Sequence, residues 1–215
     1  MEEAVLAAVK SGDLAKLRML ISVGADLNAR DPLGWSALMW AAALGLTQVV
    51  RLLLEHGAHT EASDEYGATA LMKASRQGNV EVADLLLKYG ANVDAVDALG
   101  WTALMRASQC GHDAVVKLIL DQNPQTETAD YDGSTALMLA ASGGHAAAVK
   151  ELVQWGADIH AKDSQGWTAC TWAICKGHSE VAGLLKEAAE RAKRFGDPRQ
   201  GPQLPTSDTK SHSRE

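Results

Sequence analysis

Short apolar segments at helical spacing alternate with glycines along this chain. In TQVVRLLLEHG (47–57), Val and Leu follow helical spacing and the charged residues lie on the opposite side, which predicts an amphipathic helix. The preceding segment, SALMWAAALG (36–45), is almost wholly apolar and ends at a glycine, which predicts a short buried helix. Isolated helices below about 12 to 15 residues are marginal in water. The stability of these helices must therefore come from packing against one another.

The helix pair recurs with a period of 33 residues. Two unbroken glycine series carry this period: Gly34, Gly67, Gly100, Gly133 and Gly166, and Gly12, Gly45, Gly78, Gly111, Gly144 and Gly177. A third series, Gly24, Gly57, Gly90 and Gly156, has Asn123 at its missing place, and Asn is the residue that best replaces Gly in the left-handed conformation. Such a period is typical of solenoids, in which stacked units share one core.

Each unit begins with a D-x-x-G turn signature, in which Asp accepts hydrogen bonds from the turn and Gly tolerates the exit geometry. These aspartates are Asp31, Asp64, Asp97, Asp130 and Asp163. The next predicted feature is a helix start, where a hydroxyl caps the first turn. The capping residues are Ser36, Thr69, Thr102, Thr135 and Thr168. A leucine column, Leu38, Leu71, Leu104 and Leu137, is predicted to be buried between neighbouring units.

The period, the turn, the segment SALMWA and the endings LLLEHGA and LLLKYGA resemble the ankyrin-repeat family. The family's T-P-L-H-x-A segment appears as SALMWA, TALMKA, TALMRA, TALMLA and TACTWA, with Ala in place of Pro and Met (once Thr) in place of His. The resemblance implies an all-α ankyrin-repeat solenoid, with helix–turn–helix repeats and β-turn fingers. Six repeats are predicted within a domain 1–194, at 1–30, 31–63, 64–96, 97–129, 130–162 and 163–194, the first and last acting as caps.

Composition changes the picture at the C-terminus and suggests a compartment. Residues 195–215 are rich in Pro, Ser, Gly and charge, which predicts a disordered tail. The three cysteines are too few for a disulfide framework and favour a reducing compartment, cytoplasmic or nuclear. The acidic start MEEAVLAAVK does not resemble a signal peptide, and no apolar run approaches the roughly 20 residues of a membrane helix.

Members of the family typically bind partners with the turn tips and the inner helices, which implies a partner-binding face here. The predicted binding residues are Trp35, Trp40, Tyr66, Lys73, Arg76, Trp101, Arg106, Trp167 and Trp172. Trp and Arg often dominate binding energy at protein interfaces. The alternative for the tip tryptophans is packing on the neighbouring finger. The expected function is a scaffold, adaptor or regulatory subunit, monomeric by itself, that holds a protein or extended peptide.

Charge indicates the chemistry of that partner. The chain has a net charge of −7. Yet the equivalent positions of the successive inner helices that are expected to face the partner contain Lys73, Arg76, Arg106 and Lys176 and no acid. This basic strip favours an acidic peptide. The alternative function is nucleic-acid binding by the same strip, assisted by the basic tail residues Arg191, Lys193, Arg194 and Arg199, which the overall acidity disfavours.

No catalytic, cofactor or metal-binding function is expected, because the chain contains no phosphate-binding, hydrolase or zinc-protease motif. His112, His145 and His178 recur beside a glycine, as in the family, where a structural link is expected. Cys170 and Cys175 would lie about 140 degrees apart on a helix and do not make a zinc set. The segment LRMLISVGADLNA resembles the loop that asparagine hydroxylases modify in ankyrin domains, which implies Asn28 as a target.

Overall fold

A computed structural model describes residues 2–195 of the chain. Within this range there are twelve α-helices and no strand, and two isolated β-bridges, Arg30–Ser36 and Ser63–Thr69, close the bases of fingers. The helices are α1 (Glu2–Lys10), α2 (Leu14–Ser22), α3 (Ala37–Ala43), α4 (Thr47–Glu55), α5 (Ala70–Gln77), α6 (Val80–Lys88), α7 (Ala103–Cys110), α8 (Asp113–Leu120), α9 (Ala136–Gly143), α10 (Ala146–Trp155), α11 (Ala169–Cys175) and α12 (Ser179–Phe195).

The helix boundaries confirm the capping pattern. The Ser36 hydroxyl accepts a hydrogen bond from the Met39 N–H at 3.2 Å, and Thr69, Thr102 and Thr168 cap their helices in the same way. Thr135 has the same extended backbone conformation, although its hydroxyl makes no such bond. Asn123 has a φ of 56° and is the one non-glycine residue with positive φ within residues 2–195, as its place in the glycine series predicts.

The repeats stack in two layers of helices. The inner layer consists of α1, α3, α5, α7, α9 and α11, and the outer layer consists of α2, α4, α6, α8, α10 and α12. Leu38, Leu71, Leu104 and Leu137 are 1–2% exposed, so the predicted column is buried in one continuous core. This burial stabilises each interface between repeats by roughly 1.5 to 3 kcal/mol per leucine.

Histidines link adjacent repeats. The Nε2 atom of His112 lies 3.0 Å from the Arg76 carbonyl oxygen in the preceding repeat, and His145 and His178 make the same contact with the carbonyls of Gln109 and Ser142. The predicted structural role of these three histidines is confirmed.

The two ends of the stack differ from the central repeats. In the part of the chain that the structure describes, no finger precedes α1 of the first repeat. Helix α12 has 17 residues, about twice the length of the other outer helices. Phe195 belongs to α12, so the helix extends one residue beyond the predicted domain boundary. The remainder of the predicted tail, 196–215, lies outside the described residues. None of the helices described is both long and apolar enough to cross a membrane.

Candidate functional site: the finger and inner-helix face

One carboxylate oxygen of each finger aspartate holds the turn together. In the first finger, Asp31 Oδ1 accepts hydrogen bonds from the backbone N–H groups of Leu33 and Trp35, both at 3.0 Å. The Gly34 N–H donates to the Asp31 carbonyl at 2.8 Å and closes the turn. The other four fingers repeat this arrangement with Asp64, Asp97, Asp130 and Asp163.

Backbone hydrogen bonds join the later fingers side by side. The Ala98 N–H donates to the Tyr66 carbonyl at 2.8 Å, and the Ser164 N–H donates to the Asp132 carbonyl at 2.9 Å. The Tyr131 N–H donates to the Leu99 carbonyl at 3.3 Å and so joins the finger that contains Leu99 to the next one. The tips of the four later fingers therefore form a connected row rather than independent loops.

The second carboxylate oxygen accepts a hydrogen bond from the inner helix, nine residues later. The Lys73 ammonium lies 2.6 Å from Asp64 Oδ2, and the Arg106 guanidinium makes the equivalent ion pair with Asp97. In the second and last repeats the donor is an indole N–H, at 2.8 Å in both Trp40–Asp31 and Trp172–Asp163. Leu139 occupies this position in the remaining repeat and has no group to donate to Asp130.

Cations also lie over the tryptophan rings. Lys10 Nζ is 4.1 Å from the centroid of Trp40, and Lys73 Nζ is 4.1 Å from the centroid of Trp35. The Arg106 guanidinium lies over its own repeat's Trp101 at 4.4 Å. Such contacts stabilise by about 0.5 to 2 kcal/mol each, depending on how far the pair is removed from water. The two lysine contacts join neighbouring repeats on the finger face, and the Arg106 contact lies within one repeat.

The structure corrects one expectation about the inner helices. Lys73 and Arg106 are half-buried, and their charges are compensated by Asp64 and Asp97. The basic strip expected from the sequence therefore has two of its four charges paired with finger aspartates. Arg76 is exposed and makes no ion pair within residues 2–195.

The aromatic residues among the predicted binding residues fall into two groups by exposure. Five are half-buried tryptophans that pack within the finger layer: Trp35, Trp40, Trp101, Trp167 and Trp172. Tyr66, by contrast, is 72% exposed at its finger tip. The tryptophans thus support the fingers, while the tips present their side chains to solvent.

Two residues of this face were not predicted. Tyr131 is 79% exposed at a tip, at a register position that holds Pro32, Glu65, Ala98 and Ser164 in the other repeats, so no column pointed to it. Lys10 lies in the degenerate first repeat, and its ion pair with Asp31 at 3.3 Å depends on contact across the repeat boundary. The 33-residue register places Lys10 at the same position of its repeat as Ala43 and Arg76, and this alignment could have identified Lys10 as a residue of this face.

Several finger carboxylates have lowered pKa values. Burial raises the pKa of Asp64, but hydrogen bonds from Lys73 and the backbone, with the attraction of the ammonium, outweigh it and bring the pKa below the ordinary 3.8. Burial also raises the pKa of Asp31 and of Asp163, and hydrogen bonds again outweigh it, so that both pKa values are lowered. Bonds from Trp40, the turn backbone and Lys10 lower the pKa of Asp31, and bonds from the backbone and Trp172 lower that of Asp163. These carboxylates are ionised at neutral pH.

Asn28 also links two repeats. Its side-chain oxygen accepts a hydrogen bond from the His59 N–H at 2.9 Å. Glu61, Asp94 and Glu127 accept the same bond from the following repeat at 2.8–3.0 Å. The geometry assigns Asn28 a structural role, and its hydroxylation stays a prediction. Within residues 2–195, no three His, Cys, Asp or Glu side chains gather in a way that could hold a metal ion.

Helix pairs that recur every 33 residues, stacked in two layers with turn fingers on one side, define an all-α repeat solenoid. A family model described as ankyrin repeats (three copies) matches this chain at residues 5–97, 64–130, 91–163 and 121–194. The chain belongs to the ankyrin-repeat family, whose repeats are generally protein–protein interaction modules. A search of curated proteins gave no match.

Proposed function

We propose that this protein is a non-enzymatic scaffold or adaptor, cytoplasmic or nuclear, that holds a partner protein on its finger tips. The observation that carries this proposal is a row of exposed apolar side chains on four consecutive fingers. Leu33, Tyr66, Leu99 and Tyr131 are 59%, 72%, 57% and 79% exposed. Single exposed apolar residues are common on protein surfaces, but a contiguous row on one face is typical of an interaction site.

The fingers suit binding because they are held rigidly. Each turn is closed by its aspartate, each aspartate is held by the inner helix in four of five repeats, and the later fingers bond to one another. A rigid surface loses little conformational entropy when a partner binds. Tyr66 and Tyr131 add aromatic area, which is enriched among residues that dominate interface energetics.

Because the inner-helix residues bond to the finger aspartates, the finger tips are better positions than the inner helices for mutations that test binding. Alanine at Trp40 or Arg106 would remove a donor from a finger aspartate and disturb the turn itself. The tips avoid this difficulty because their side chains are exposed. The ion pairs also weaken the case for an acidic ligand and for nucleic acid, since Lys73 and Arg106 are two of the four charges of the basic strip.

Proximity labelling in cells tests the proposal with a triple variant, Leu33→Ser, Tyr66→Ser and Leu99→Ser. The matched control replaces three exposed apolar residues outside the finger row, Met19→Ser, Val23→Ser and Tyr89→Ser, which are 60%, 62% and 43% exposed. We expect the finger variant to lose proteins that the wild type and the control both label. If the finger variant labels the same proteins as the wild type, the finger tips are not the interface.

A further inference from the structure

Two groups of residues in this chain share one geometry. The first aromatic unit consists of Trp35, Trp40 and Asp31, and the final aromatic unit consists of Trp167, Trp172 and Asp163. The ring centroids are 4.6 Å apart in the first unit and 4.9 Å apart in the final unit. In both, the indole N–H of the second tryptophan donates to the carboxylate at 2.8 Å.

Lysines from both neighbouring repeats occupy the first aromatic unit. Lys10, from the repeat before, lies 4.1 Å from the Trp40 centroid and 3.3 Å from Asp31 Oδ2. Lys73, from the repeat after, lies 4.1 Å from the Trp35 centroid. The attraction of an ammonium to the negative face of an indole ring accounts for both contacts. The chain itself therefore shows what kind of group such a unit accepts.

Within residues 2–195, the final aromatic unit has no lysine at either of these two places. The register position of Lys10 is held there by Ser142, four periods of 33 residues later. No described repeat follows. Among the described residues, no atom lies within 4 Å of the place that a Cβ at Gly166 would take, whereas each of the four earlier finger glycines has the next finger's backbone within 3.1 Å. Lys176 lies 5.7 Å from the Trp172 centroid, well beyond the 4.1 Å of the filled unit.

The finger charges follow the same division. Asp31, Asp64 and Asp97 each have a cation, namely Lys10, Lys73 and Arg106. Asp130 and Asp163 make no ion pair within residues 2–195. Among the described residues, the finger carboxylates are therefore paired with cations in the first three fingers and without an ion pair in the last two.

We propose that the final aromatic unit is a binding site for a lysine side chain presented by a partner protein. The partner's ammonium would take the place that Lys10 or Lys73 takes in the first unit, over an indole face and beside Asp163. A basic segment suits this end of the finger face, because Asp130 also lacks a cation there. This proposal rests on the proposed function as a partner-binding scaffold and adds the chemistry of one contact.

The test uses the full-length protein with ¹⁵N-labelled indoles, whose N–H signals report each tryptophan separately in NMR spectra. The probe is an acetylated and amidated hexapeptide of alternating lysine and glycine. We expect saturable shifts of the Trp167 and Trp172 signals and none of the Trp35 and Trp40 signals, because the first unit is already occupied. The same peptide with acetyl-lysine, which has no charge, should produce no shift. Shifts that survive acetylation, or that spread equally over both units, would overturn the proposal.

A variant that fills the site from within provides the second measurement. Ser142→Lys puts a lysine at the register position of Lys10, and the contact between His178 and residue 142 uses the backbone carbonyl, which the substitution keeps. We expect the peptide to bind this variant more weakly by about fivefold or more. Ser142→Gln, of similar length without the charge, is the matched control and should bind as the wild type does. Unchanged affinity in Ser142→Lys would contradict the proposed site.

The chain's own Lys210 is the competing occupant. If Lys210→Ala shifts the Trp167 and Trp172 signals without any peptide, the site is filled by the chain itself and the proposal of a partner lysine is wrong. Failure of the peptide to bind leaves the labelling experiment on the finger tips unaffected. Conversely, unchanged labelling by the finger variant, with peptide shifts confined to the final unit, overturns the finger row and keeps the lysine site.

Discussion

The Lys73 ammonium lies 2.6 Å from the Asp64 carboxylate, and the Asp64 side chain is wholly inaccessible to solvent. The contact joins the inner helix to the finger of the same repeat. Because the same nine-residue spacing places Trp40, Arg106 and Trp172 on their own finger aspartates, this contact is a general device of the chain in which the donor changes and the acceptor does not.

Removal of this donor should be costly. Lys73→Ala leaves the Asp64 carboxylate buried without its cation, and we expect the free energy of unfolding to fall by about 2 to 3 kcal/mol. Urea denaturation measures the change. Lys73→Arg keeps a cationic donor, as Arg106 does in the next repeat, and should lose less than about 1 kcal/mol. Equal losses in the two variants would show that the side chain contributes by packing and not by its bond to Asp64.

A donor can also be added where the chain has none, because Leu139 has no group that could bond to Asp130. Leu139→Lys gives Asp130 the cation that Asp64 has, and we expect a gain of about 0.5 to 1.5 kcal/mol in the free energy of unfolding. Leu139→Met is the control, because it keeps an apolar side chain without a donor and should change stability little. A lysine variant no more stable than the methionine variant in urea denaturation would contradict the expected bond.

Stability should depend on pH in the acid range. The folded-state pKa of Asp64 lies below the ordinary 3.8, so its stabilising contribution is complete above that value and is lost as pH falls through the folded pKa. Asp31 and Asp163 contribute in the same direction. Unfolding midpoints measured from pH 7 down to about pH 2 should fall in the wild type. Asp64→Asn removes one of these groups and should give a shallower decline, and parallel curves would contradict the role of Asp64.

Alanine substitutions at two glycines can distinguish the cost of a left-handed backbone from the cost of a steric clash. Gly78 and Gly90 have φ values of 73° and 82°, but a Cβ at Gly78 would lie 2.6 Å from His112 Nδ1, while at Gly90 it would meet no atom within 4 Å. Gly90→Ala should cost about 1 kcal/mol for its left-handed backbone.

Gly78→Ala carries the same strain and must also displace the His112 ring from the Arg76 carbonyl, for a total of about 2 to 3 kcal/mol. Thermal unfolding of both variants measures the difference. Similar losses at the two sites would mean that the His112 link contributes little to the interface between repeats.

Much of the fold was predictable because it depends on local and periodic features. The caps at Ser36 and Thr69, the turn at Asp31 and the left-handed Asn123 each follow from a residue type within a few positions of the chain. The 33-residue register then aligned these positions and predicted the buried column of Leu38. Recurrence in several repeats made each of these expectations secure.

The site was predicted less completely, because its contacts depend on distances between side chains that the 33-residue period does not give. The sequence places Lys73 and Arg106 in a basic strip. Whether each cation is free to meet a partner depends on its distance from a carboxylate nine residues earlier in the chain, and the structure shows both cations paired. Lys10 and Tyr131 were missed because neither belongs to a column of similar residues.

The amino-acid sequence by itself determined that this chain stacks 33-residue helix pairs and which residues face the core, since burial and turn chemistry repeat with the period. The tertiary structure alone decided which side chains of the finger face are engaged and which are available. Hydrogen bonds, ion pairs and ring contacts depend on a few ångströms between atoms of the same or of adjacent repeats. The two aromatic units differ mainly in the lysines that lie beside their rings.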